Sequence, residues 1–332
     1  MRCAGLIVTA LLAAPASPGE WERFVQEDGV SGYARAVPGS RVLELRSVAV
    51  VDAPIEVVGA VLRDVAGLKR PGSSCYEARV LEQPDRDHYT FYAAYDVPGP
   101  FHDRVAVVSV ANRYDLDHGR VVADLRAVPA PKVALPRGAV LIRDFEAQFV
   151  VEYLSREKTG VVYTSRIDPA GNIPAFLANY AARDSVLENA RVLRAAARKP
   201  EYVSAAASSP DAALAERIVG DRDAVRRIVG NRLRALIPDP ALVARLLAEP
   251  AVIDSFVSGD GKVGAVLLLG WGSAESRREA IALLLRNLLE AHTADLAAID
   301  RFVGSRPVLD RILSGPGGDD DVATFLASAR PR

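Results

Sequence analysis

From Gly32 to Ile167 the apolar positions recur mostly at the two-residue period of strands. Segments 42–50, 76–82, 88–95, 104–111, 119–127, 139–151 and 160–167 are rich in Val, Tyr, Phe and Thr, and turn residues separate them. Consecutive strands with short links predict an antiparallel meander. One helix interrupts it at about 54–64, where Pro54 opens the first turn and Ile55, Val58 and Val61/Leu62 form one stripe. The turn cluster Asp168-Pro169-Ala170-Gly171-Asn172 closes the β region. A long helix is expected next, from Ile173 to about Arg198, with Asn172 as its N-cap and Pro174 in its first turn. Ile173, Phe176, Leu177 and Tyr180, then Leu187, Ala190 and Leu193, repeat at helical spacing. Such a face must lie on something, and the sheet is the only large partner nearby.

The second half changes period. Residues 200–210, with Pro, Ser and Ala and no amphipathic pattern, read as a linker. Beyond it helices are expected at about 211–218, 221–236, 239–248, 250–257, 273–290, 293–303, 306–314 and 320–329, so 211–330 is an all-helical domain. The phrase Arg217-Ile-Val-Gly returns as Arg227-Ile-Val-Gly, but two copies do not make a repeat array. Gly264–Trp271 is strongly apolar yet has only the length of a buried helix. The chain as a whole reads as α+β followed by all-α.

Composition narrows the function classes. Lys and Arg total 41 against 42 for Asp and Glu, a net charge of −1. Phosphate binding needs a basic surplus, so nucleic acid is not the expected partner. Arg2, the apolar run Ala4–Ala14 and the small residues Ala14-Pro15-Ala16 resemble a cleavable leader over 1–16. The protein is therefore expected to be exported, periplasmic or extracellular. Cleavage removes Cys3 and leaves Cys75 alone, so the core holds without an internal disulfide, and one thiol does not make a zinc site. No metal or other cofactor is expected.

Three segments then resemble a known family. Cys75-Tyr-Glu-Ala-Arg-Val-Leu-Glu82 resembles the C-x-E-A-R-V-L-E strand of START (StAR-related lipid-transfer) domains. Pro98-Gly-Pro100 with His102-Asp-Arg104 resembles their P-x-P…D-R-D segment. Asp168-Pro-Ala-Gly-Asn-Ile-Pro-Ala-Phe-Leu-Ala-Asn179 looks like the D-P-G-G-x-I-P-x-x-L-x-N signature that opens the C-terminal helix. Trp21 and Asp28-Gly29-Val30 also match in position. The resemblance spans about 20–199 with its motifs in order. It implies a helix-grip fold, a curved antiparallel sheet around the long helix, with a hollow interior that takes a lipid or sterol-like molecule. The family's mouth loops correspond to 96–103 and 128–138.

A pocket for such a guest needs aromatic and aliphatic walls, since burial gains roughly 25 cal/mol per Å² of apolar surface. Tyr89, Phe91, Ala93 and Tyr95 share one strand face, as do Phe145, Ala147, Phe149 and Val151, and Val161, Tyr163 and Ser165. The expected ligand-binding residues are Tyr89, Phe91, Tyr95, Phe101, Arg104, Phe145, Phe149, Tyr163, Phe176 and Tyr180. Packed-core filling is the competing role for any one aromatic. Glu44/Arg46 and Glu77/Arg79 are expected to form ion pairs on the solvated face. No G-x-S-x-G, C-x-x-C or dinucleotide-type glycine motif appears, and His102 at the mouth is the one histidine worth testing as a base. The expected role is therefore binding and transfer or sensing, with transient membrane contact. The alternatives are a cyclase- or hydrolase-like enzyme on a bound apolar substrate, or a scaffold whose helical domain docks a protein partner.

Overall fold

The structure is a computed structural model that describes residues 19–128, 133–257 and 260–329. The expected leader lies outside the described residues.

A single curved sheet organises the first half. Its strands are β1 (Glu22–Glu27), β2 (Val30–Arg35), β3 (Glu44–Val51), β4 (Cys75–Glu82), β5 (His88–Tyr95), β6 (Arg104–Asp115) and β7 (Arg120–Ala127), followed by β8 (Val140–Leu141), β9 (Asp144–Ser155) and β10 (Lys158–Asp168). They lie in the order β1-β2-β3-β10-β9-β7-β6-β5-β4, antiparallel throughout, with β8 pairing in parallel to the start of β6. The expected meander is present as β4–β7 and as the β1–β3 hairpins. The run 139–151 divides: two residues join β6, and the rest opens β9.

The period-2 pattern sorts side chains to two faces. On the concave face Phe91, Ala93, Ala106, Val108 and Ile142 form one packed cluster. On the opposite face Tyr33, Val48, Val122, Val150 and Val162 form another. Helix α1 (Ile55–Arg63) places Ile55, Val57 and Val58 against Val121, Val151 and Val161 at one end of the concave side. Helix α2 (Ala175–Ala196) lies along β2 and β3, burying Val186 and Ala190 against Val30 and Ala49. Its N-cap is Pro174, not Asn172, whose side chain is exposed. Pro174 disfavours helical backbone at Ile173, so the helix opens after the proline, and the Ile173 carbonyl left outside it accepts from the Arg41 guanidinium at 2.9 Å.

The stretch expected as linker contains helix α3 (Pro200–Ala206), with Pro at its first turn and contacts to α1. Then come α4 (Ala212–Ile218), α5 (Arg222–Leu236), α6 (Pro240–Ala248), α7 (Pro250–Val257) and α8 (Lys262–Leu268), the last running into a 3-10 turn at Leu269–Trp271. They are followed by α9 (Ala274–His292), α10 (Leu296–Val303), α11 (Arg306–Ser314) and α12 (Gly318–Ser328). Asp221, Asp239, Ser273 and Asp295 cap α5, α6, α9 and α10 through their side chains, as their sequence positions suggest.

This helical unit is seated on the sheet. Leu268 and Trp271 pack onto the convex cluster, while Ile218 and Ile228 close on Gly119, where an added Cβ would meet Ile228 at 2.8 Å. Arg232 of α5 enters the joint with its side chain 5% exposed. It donates to the carbonyls of His118, Gly119 and Tyr153 and stands 3.5 Å from Glu152.

Candidate functional site

The sheet's concavity is only partly filled. Between β3, β10, α2 and the loop 96–103 lies a pocket of about 640 Å³. Val42 and Leu45 of the β3 side, Ile167 of β10, Ile173 before α2 and Leu177, Ala178 and Val186 of α2 make apolar walls. Val97, Pro98 and Phe101 contribute from the loop.

Three tethers hold α2 in place over this space, and they explain two positions of its signature. The Asp168 carboxylate accepts from Arg41 Nε at 2.6 Å and Nη2 at 2.5 Å, a bidentate pair across 127 residues. That hydrogen bonding holds the Asp168 carboxyl below its usual range. The Asn179 side-chain oxygen accepts from the Leu43 amide at 2.9 Å. Arg104, 3% exposed, donates from Nε to the Pro169 carbonyl at 2.6 Å, from Nη2 to Ala170 at 3.1 Å, and from Nη1 to His102. It thereby joins the mouth loop to the turn before α2. Burial lowers its pKa.

The opposite wall is polar but neutral. Ser47 faces Tyr163 across the β3–β10 ladder, and Ser165 follows on the same face of β10. Tyr163 stacks on Phe149 with ring centroids 4.4 Å apart. Burial pushes the Tyr163 phenol up, partly offset by its hydrogen bond with Ser165. Burial likewise pushes Tyr95 up, with Cys75 and Tyr163 as neighbours.

The ten expected residues separate into groups. Phe101, Arg104, Tyr163 and Tyr180 line the pocket, Tyr180 at its rim with 69% exposure. Phe149 backs Tyr163 from behind the lining. Tyr89, Phe91, Tyr95 and Phe145 belong to the concave cluster, so that part of the face is packed rather than hollow. Phe176 points outward with 75% exposure. Its place on the apolar stripe gave no sign of this, and the inner face of α2 runs through Leu177, Ala178 and Ser185 instead. Val42, Leu45 and the Arg41 and Asn179 tethers escaped the sequence reading, since only tertiary contact brings them here.

The two mouth loops also part company. Loop 96–103 borders the pocket, whereas Val128 and Val133 of the second, with Ala139 and Leu141 just after it, pack with Tyr92, Ala94, Val105 and Val107 on the opposite face. Residues 129–132 lie outside the described residues. His102 is exposed and is not among the lining residues. His88, His118 and His292 each sit beside a carboxylate, of Asp85, Asp115 and Glu249. Cys75 is buried, with its thiol on the Glu77 carbonyl at 3.4 Å.

The charged strand pairs resolve differently. Glu44 takes Arg35, its partner across β2–β3, at 2.5 Å. Arg46 instead lies between the rings of Trp21 and Trp271, at 4.1 and 5.7 Å, and donates to the Trp271 carbonyl. Burial pushes its pKa down to about 10. Arg79 and Glu77 pair at 3.2 Å on the exposed face. Among the described residues no group of three or more His, Cys, Asp and Glu is placed to hold a metal, and no helix is long and apolar enough to cross a membrane.

A sheet gripping a long C-terminal helix over a pocket is the START fold, and solved structures of that fold match this one. The crystal structure of the STAR-related lipid transfer protein (fragment 25-204) from Xanthomonas axonopodis is 24% identical with a TM-score of 0.50, covering 54% of this chain and 99% of that one. Human STARD10 gives 17% identity and a TM-score of 0.51, covering 57% and 77%. An uncharacterized protein of Pseudomonas aeruginosa is 29% identical over 180 residues, 54% of this chain and 88% of its own length. No family model matches the chain.

Proposed function

We propose that this protein binds a lipid or another apolar molecule in the pocket beneath α2 and carries or senses it without covalent chemistry. The observation that carries this reading is the pocket of about 640 Å³ with largely aliphatic walls inside a START fold. A cleft of that size buries most of a drug-sized molecule, and apolar transfer supplies the driving force. Among the described residues the lining contains neither histidine nor carboxylate, which favours binding over turnover. The exposed Phe176 and Tyr180, one turn apart on α2, supply a greasy edge where a membrane could hand over the guest. The test is extraction of the purified full chain with organic solvent and mass spectrometry of the extract, alongside Nile red titration of the stripped protein. A stoichiometric apolar compound and saturable dye binding are expected. An empty extract with no saturable dye binding refutes the reading.

A further inference from the structure

On the premise that this pocket holds a guest, its walls select the guest's polar end. Among the described lining residues Arg104 alone carries a charge. Each of its three guanidinium nitrogens already donates to a main-chain carbonyl, those of Pro169, Ala170 and His102. With only 3% of its surface exposed, it works as a staple of the turn before α2 and offers little to a guest. The Asn179 oxygen is similarly engaged by the Leu43 amide.

What remains is neutral: the amides of Asn179 and Asn189 and the hydroxyls of Ser74 and Ser185 at the rim and helix side, and on the sheet the hydroxyls of Ser47, Tyr163 and Ser165. Ser47 and Tyr163 are cross-strand partners, and Ser165 sits one same-face step along β10, all three on the pocket lining. Hydroxyls both donate and accept, so this strip can satisfy an alcohol or a carbonyl. An ionised carboxylate or phosphate fares otherwise. It would leave water for aliphatic walls without a free cation to compensate it, and an uncompensated buried charge is strongly disfavoured.

We propose that the pocket takes an uncharged amphiphile, a single apolar chain or ring system bearing a hydroxyl or carbonyl seated on Ser47, Tyr163 and Ser165, and that it discriminates against the corresponding acid. The volume of about 640 Å³ falls within the range of roughly 300–1,000 Å³ that suits one such body.

The test is displacement of Nile red from the stripped full chain by hexadecan-1-ol and by hexadecanoate at pH 8, both below their aggregation limits. The alcohol is expected to displace the dye at about one-tenth the concentration of the acid or less. Equal or better displacement by the acid overturns the headgroup assignment while leaving apolar binding intact. Failure of both ligands to displace a bound dye overturns it too. Failure of the dye itself to bind removes the premise, and the assignment falls with it. Placement is read from the double variant Y163F/S165A, expected to weaken hexadecan-1-ol about tenfold and spare 1-chlorohexadecane. A loss shared equally by both, or no loss for the alcohol, overturns the seat.

Discussion

Replacing Arg232 with Met separates the helical unit's fold from its seating on the sheet. The arginine sits in a joint between α5, the β6–β7 turn and β9, donating to three carbonyls at 2.6–3.0 Å. Its charge faces Glu152 at 3.5 Å, a carboxylate with a side chain only 3% exposed. Methionine keeps much of the stem's packing but withdraws every donor. Removing one partner of a buried pair costs about 3–5 kcal/mol. The lower end applies here because Glu152 keeps the Trp271 indole N–H at 3.2 Å and Arg120 at 3.8 Å, and the Gly119 carbonyl keeps the Tyr153 amide. We expect Arg232→Met to cost about 3 kcal/mol, measured by urea unfolding followed through tryptophan fluorescence, with the slope unchanged. Trp271 bonds Glu152 at this joint and Trp21 packs in the same convex cluster, so tryptophan fluorescence reports on the seating. Adding Glu152→Gln should restore about 1 kcal/mol or more, because the remaining buried charge is then removed. A loss below about 1 kcal/mol, or strict additivity in the double variant, refutes the idea that this joint is part of the cooperative fold.

Further outcomes follow from other sites. Ala178→Trp projects into the pocket and should weaken Nile red about tenfold or more, while leaving the urea midpoint nearly unchanged. Gly59→Ala would set a Cβ 1.7 Å from Asp211 Oδ2, breaking the buried contact that Arg63 makes with that carboxylate at 3.0 Å. A loss of about 1–3 kcal/mol or more is expected in thermal unfolding. The Asp168 carboxyl is held below its ordinary 3.8, so its contribution is present above that value and disappears as pH falls through the lower folded value; Asp168→Asn should flatten the stability profile in that acid window. Phe176→Ser with Tyr180→Ser should leave stability within about 0.5 kcal/mol yet reduce co-sedimentation with phosphatidylcholine vesicles. Unchanged co-sedimentation removes α2 from the membrane edge.

Much of the architecture was legible because local physics dictates it. The alternation in 88–95 coincides with β5, and the punctuation by Pro, Gly and Asp located α6, α7 and α11 within a residue or two. The same alternation sets the faces: Tyr89, Phe91, Tyr95, Phe149 and Tyr163 all turn to the concave side, because a strand leaves no other choice. Depth was not legible. Whether an inward aromatic meets a neighbour or empty space depends on how far α2 stands from each strand, which Arg41, Arg104 and Asn179 decide through contacts far apart in sequence. The helix at 200–206 was hidden for a related reason. Its Ala and Ser residues carry no amphipathic stripe, and its anchor is the Tyr202 hydroxyl on Asp64. The second mouth loop lies on the opposite face because Val128 and Val133 meet apolar partners there, beside Ala139 and Leu141.

Leu45, Arg46 and Ser47 are consecutive residues, yet the outer two face the pocket and the middle one clasps Trp21 and Trp271 on the far side. Three adjoining codons thus serve both compartments. Exchanging the helical half between related chains by cutting near residue 200 would carry over the helices and leave their footing behind. A working chimaera has to transplant the outward positions of β3, β9 and β10 as well, and the inward ones can then be varied to reshape the pocket.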